Sequence, residues 1–182
     1  MERFIDLILA EVPGCPEIII KGKVLASAIR FCGESWIWQK PVTETVSIGD
    51  TSISLTLPEK TVVAGIKELT VDGRSFALYI REGNVLTLDE AATSGFDIKA
   101  TIALKPARTT TVLPDTLCED WYEGIEAGAK ELLMIMPGKP WYNPELAGAY
   151  SRRYNGEVNA AKIKANQKND ITQNRVRMRP FV

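Results

Sequence analysis

The hydrophobic period of this chain changes twice, and those changes constrain its architecture more than any other feature. From residue 2 to about 38, apolar side chains recur at helical spacing. Between residues 42 and 112 that spacing vanishes, and β-branched residues alternate with polar ones. From residue 114 to about 166 helical spacing returns. A helix buries one stripe and a strand one face, so neither pattern suits the other conformation. Helix, sheet and helix in that order predict an α+β protein.

In the first part Phe4, Ile5, Ile8, Leu9 and Val12 predict one helix, stopped by Pro13-Gly14. Pro16 suits the first turn of a second, where its missing N–H is harmless. Ile18, Leu25, Ala28, Ile29, Cys32 and Trp36 give that helix its stripe. Gly22 and Gly33 weaken it by about 1 kcal/mol each if interior, and their small size would let a neighbouring helix approach.

The middle part offers six strands: 43–48, 52–57, 66–71, 76–80, 85–88 and 96–104. Asp72-Gly73 and Gly83-Asn84 fall between apolar runs, as hairpin turns do. Short strands with tight turns predict an antiparallel β-sandwich or small barrel. About 70 residues make a small core to stand alone, so it should lean on the helices.

In the last part Asp115 or Thr116 is the expected N-cap. Leu117, Trp121, Ile125, Gly128, Leu132 and Met136 form the next stripe, ended by Pro137-Gly138. Asn143-Pro144 restarts the chain with an N-cap and a first-position proline. Leu146, Ala149, Tyr150, Tyr154, Val158 and Ala161 follow at helical spacing. A turn this short makes the two helices antiparallel neighbours. The expected architecture is a helical bundle built from both chain ends, residues 1–40 and 114–166. A β domain, residues 41–113, is inserted between its second and third helices. Leu25, Ile29, Trp36, Trp121, Ile125, Leu132, Tyr150 and Tyr154 are the expected bundle core.

Residues 167–182 are expected to form an extended C-terminal arm. Arg175, Arg177 and Arg179 alternate with Val176 and Met178, and Pro180-Phe181-Val182 follows. A lone strand-like segment cannot bury its apolar side without a partner. From Lys162 onward six cations face Asp170 alone, a net +5 in a chain whose total is −1. An acidic body with a basic tail suits a partner-binding arm. Contact with nucleic acid is one reading. The interleaved Val, Met and Phe favour docking on a protein, since DNA backbone binding needs none of them.

Several function classes are disfavoured. The chain has no histidine, which removes Ser-His-Asp and Cys-His catalysis and the commonest metal ligand. Cys15, Cys32 and Cys118 lack CxxC spacing, provide too few thiolates for an all-cysteine zinc site, and read as buried or free thiols in a reducing compartment. Acidic residues are scattered, so neither an enzymatic activity nor a cofactor or metal is expected. No apolar run approaches the ~18 residues of a membrane span, and Met1-Glu2-Arg3-Phe4 does not begin a secretory signal. Pro137-Gly138-Lys139-Pro140 lacks the spacing of a phosphate loop and reads as a helix–helix turn. Glu119, Asp120 and Glu123 complement a helix macrodipole, and Asp89-Glu90 reads as a solvated strand end. Trp36, Trp38, Trp121 and Trp141 read as core and rim rather than a sugar platform.

Two groups of residues resemble a known family. Val12-Pro13-Gly14-Cys15-Pro16, Ala28-Ile29-Arg30-Phe31-Cys32 and Trp36 are similar to the start of the head-to-tail adaptor proteins of short-tailed bacteriophages. So are Trp121-Tyr122-Glu123-Gly124-Ile125, Gly128-Ala129, the run Met136 to Trp141, and Asn143-Pro144. The likeness covers both helical ends, about half the chain. It implies a structural virion protein, made in the host cytoplasm and placed in the neck of the particle. Such adaptors form a twelve-fold ring of identical subunits beneath the portal protein, continue the DNA channel, and support the tail nozzle protein. DNA is then only transient cargo. The resemblance further implies that the arm docks on the portal, through Arg175, Val176, Arg177, Met178, Arg179 and Phe181. The rival class is a carbohydrate-binding or adhesion module that reads glycans with Phe76 and Tyr79 of the β domain.

Overall fold

The computed structural model describes residues 2–71, 74–75, 79–88 and 90–167, with the backbone alone for 74–75 and 79–82. Helix α1, Glu2–Leu9, buries Phe4, Ile5 and Ile8. The chain then turns through Gly14, whose φ of +78° is a left-handed conformation that glycine adopts without strain. Helix α2, Glu17–Ser35, starts after Pro16 and buries Ile20, Val24, Ser27, Ala28, Phe31, Cys32 and Ser35. Those positions recur every three or four residues and make one stripe. After the sheets come α3, Asp115–Asp120, α4, Tyr122–Met134, and α5, Pro144–Asn166. Asn143 caps α5 by accepting the Leu146 N–H at 3.0 Å, and Pro144 occupies the first turn. The helices from both chain ends share one apolar core that includes Phe4, Phe31, Ile125, Leu133, Trp141 and Tyr154.

Between α2 and α3 lie seven strands: β1 Gln39–Val46, β2 Ser52–Ser54, β3 Thr61–Val71, β4 Arg74–Ser75, β5 Tyr79–Glu82, β6 Val85–Leu88 and β7 Phe96–Pro106. They form two antiparallel sheets, ordered β1-β7-β3-β4 and β2-β6-β5. Gly83-Asn84 makes the two-residue turn between β5 and β6, with Gly83 at φ +60°. Asp72-Gly73 lies outside the described residues. Val46, Ile98 and Ile102 from the first sheet share a second core with Ile53, Leu86 and Leu88 from the second. Trp38 packs against both this core and the helical one, so the two are continuous through its ring. The pairing of β3 with β7 slips twice, leaving Ala64 and Lys67 as extra residues on β3.

Several expectations need correction. Trp36 is not core: it ends α2 in a left-handed conformation, φ 55°, and is 37% exposed. The chain must turn there onto the sheets, and the indole swings out over Gly65. Ile18 is 76% exposed on the first turn of α2. Ile29 and Leu132 are only half-buried; Leu25 and Tyr150 are half-buried but pack against the core. Leu133, beside Leu132, is fully buried, in a helix that packs on both α2 and α5. Trp121, at φ −126°, separates α3 from α4. Trp121, Ile125 and Tyr154 are buried. The residue preceding α3 is Pro114, which offers no side-chain cap; Asp115 already belongs to the helix. Nothing lies within 4 Å of a side chain built at Gly22 or Gly33, so neither admits a neighbouring helix.

Candidate functional site

Helices α2 and α5 both end against the four-stranded sheet. At that junction lies an open cavity of about 580 Å³. Ile37, Trp38, Leu117 and Trp121 supply its apolar lining, while Gln39, Lys67, Asp120 and Lys164 contribute polar groups. Lys164 sits 3.5 Å from the Asp120 carboxylate and 5.4 Å from the centre of the Trp121 ring. Both charges are about half exposed, so the pair is screened and weak.

The carbonyl oxygen of Ala165, in the last turn of α5, is the focus of this junction. The Gln39 Nε2 donates to it at 3.1 Å and to the Trp36 carbonyl at 3.0 Å. The Lys67 ammonium also donates to Ala165 O, and lies 3.4 Å from Gln39 Oε1. Gln39 thus ties the C-terminal ends of two helices together. Their last carbonyls carry partial negative charge, which a cation complements.

Two partly buried ionic clusters lie within the helical part. Lys130 of α4 has a side chain only 5% exposed, and pairs with Glu11 at 2.5 Å and Glu126 at 2.6 Å. Glu11 also accepts a hydrogen bond from Tyr150. Burial alone would raise the Glu11 pKa, but the bonds from Lys130 and Tyr150 and the ammonium charge hold it below the usual carboxylate range. Burial likewise disfavours charge on Lys130, yet its two carboxylate partners raise its pKa overall. The second cluster centres on Arg30, 2.6 Å from Glu131 and 3.8 Å above the Tyr154 ring. These clusters join α2, α4, α5 and the end of α1, and their charges are taken up by one another.

Burial pushes the Cys32 thiol up to about 12 and raises those of Cys15 and Cys118 as well, so all three resist becoming thiolates. Among the described residues no group of three or more Cys, Asp or Glu is placed to hold a metal ion. No described helix is long and apolar enough to cross a membrane.

The expected docking residues Arg175, Val176, Arg177, Met178, Arg179 and Phe181 lie outside the described residues, as do the side chains of Phe76 and Tyr79 and all of Asp89. The residues behind the family resemblance are brought together in pairs. Phe31 packs on Trp121 with ring centres 5.6 Å apart, and its edge fills the space beside Gly124. Cys15 and Trp141 belong to the same helical core. Sequence reasoning missed Gln39, Lys67 and the Glu11–Lys130 cluster. Lys67 carries no pattern signal, because the residue it adds to β3 breaks the alternation. Glu11 and Lys130 are 119 residues apart and meet only in three dimensions. Neither the known protein-family models nor the curated proteins include a match to this chain.

Proposed function

We propose that this chain is a structural virion protein: an adaptor that joins a phage portal to the tail nozzle and acts on no substrate. The observation that carries the reading is the meeting of two resemblance-bearing turns. The Val12–Pro16 turn and the Met136–Pro144 turn are more than a hundred residues apart, yet Val12, Cys15 and Trp141 belong to one apolar core. Shared features at converging positions favour a shared structural unit over scattered coincidence. In this reading the helices are the bundle of a ring wall, the two sheets are the sandwich inserted in it, and residues 167–182 are the portal-docking arm.

The physics suits that work. An acidic body does not grip DNA passing through a channel. A short arm makes few contacts, and repetition around a ring turns weak contacts into avidity. Head-to-tail contacts between identical subunits close such a ring. The test is deletion of residues 175–182, followed by pull-down and electron microscopy with the cognate portal. Loss of portal binding, with an unchanged helical circular dichroism spectrum, is the expected result. Undiminished binding would remove the arm's role, and absence of any portal complex for the intact chain would remove the adaptor reading itself.

A further inference from the structure

We infer that Lys67 and Gln39 form a latch that fixes the place and direction in which the chain leaves α5, making the sheets an alignment device for the C-terminal segment. Three observations meet here. First, Lys67 is the extra residue of a bulge in β3: Ile66 faces Ile102 and Glu68 faces Thr101, with nothing opposite Lys67. A bulge re-aims the side chain it carries. Without it, alternation along the strand would set the side chain by strand register alone. With it, the ammonium reaches the end of α5. Second, both latch groups act on one atom, the Ala165 carbonyl in the last turn of α5. Third, Gln39 spends its other amide hydrogen on the Trp36 carbonyl, where α2 ends in its left-handed residue. One amide thus ties two helix ends together, and one ammonium faces the partial negative charge at the end of α5.

A helix end left to itself frays within its last turn, because its final carbonyls have no partners in the helix. Here the final turn is held from outside by side chains of β1 and β3, the strands on either side of β7. Buried Ala165 keeps the turn seated, and Gln167 closes it by donating to the Ile163 carbonyl at 3.0 Å. The exit is therefore set by the sheets rather than by α5 alone. In the adaptor reading, on which this use of the latch rests, a fixed exit presents every arm of a ring at the same angle.

The latch is testable without a portal, so its failure and that of the adaptor reading are separable. Spin labels are placed at exposed positions, Lys99→Cys on β7 and Gln167→Cys after α5, in the full chain carrying Cys118→Ser; Cys15 and Cys32 are buried. The distance distribution between the labels is measured by pulsed electron resonance. Lys67→Met keeps the aliphatic stem and removes the charge. It should widen the distribution about twofold and speed exchange of the amides of residues 162–167 about tenfold. Lys67→Arg, which keeps the charge, should restore both. Gln39→Met is the second variant and should act in the same direction. A distribution as narrow in Lys67→Met and Gln39→Met as in the parent would overturn the inference, as would equal disturbance by Lys67→Arg and Lys67→Met.

Discussion

The ring of Tyr154 lies against the bare backbone of Gly128, where no larger residue fits. A Cβ at Gly128 would come within 2.7 Å of Tyr154 Cδ2 and would also strike the Ser27 hydroxyl. That hydroxyl donates to the Ile125 carbonyl at 2.8 Å, binding α2 to α4. Three helices therefore meet at one glycine. Gly128→Ala gains helix propensity but must displace Tyr154, which is itself held over Arg30. Overpacking of this kind costs about 2 kcal/mol after the propensity gain is deducted. Urea unfolding should show a lower midpoint with an unchanged slope.

Gly22 and Gly33 predict the reverse. Both lie within α2, and a Cβ at either would meet nothing within 4 Å. Replacing a helical glycine by alanine removes backbone freedom from the unfolded chain, a gain of about 0.5–1 kcal/mol at each site. Gly22→Ala and Gly33→Ala should raise the thermal midpoint, separately and additively. A fall in either would mean that the position contacts something outside the subunit.

The contrast between these glycines shows where sequence reading works and where it stops. The switch from helical to alternating period located the helices and most strands, since burial of one stripe or one face is written into local spacing. Asn143-Pro144 and Gly83-Asn84 were legible for the same reason: capping and tight turns depend on a few adjacent residues. Which glycine faces a neighbour was not legible, because it depends on helix pairing. Trp36 shows the same limit. Its spacing continues the stripe of α2, and only the turn onto the sheets takes it out. Lys67 was hidden by its bulge, and the ionic clusters by the distance between their members along the chain.

Lys130 predicts a pH dependence. Its ammonium is almost wholly buried between Glu11 and Glu126. Lys130→Met would leave the enclosed Glu126 carboxylate without its cation, and breaking a buried pair from one side costs about 3 kcal/mol or more. The folded-state pKa of Glu11 is below its ordinary value, so its contribution is present above the ordinary carboxylate range. It is lost as pH falls through the folded value. Stability of the parent should therefore decline in acid, and that of Glu11→Gln should decline less. Urea midpoints measured between about pH 7 and pH 3 would show the two curves converging on acidification. Curves that stay parallel would rule out the Glu11 linkage.

The three thiols should react in an order set by burial rather than by intrinsic nucleophilicity. Cys118 is half-buried and borders a shallow surface cavity of about 410 Å³ between α1 and α3, together with Arg3 and Tyr122. Cys15 is 4% exposed, and Cys32 is fully enclosed with its pKa pushed up to about 12. Thiolate is the reactive form, so Cys32 is shielded both sterically and chemically. With a disulfide-exchange reagent at mildly alkaline pH, Cys118 should be modified first and Cys15 more slowly. Cys32 should react only at the rate of unfolding, and that rate should rise with urea. Cys118→Ser should delete the fast phase alone. Rapid labelling of Cys32 in the folded protein, located by peptide mass analysis, would show that α2 parts from α4 without global unfolding.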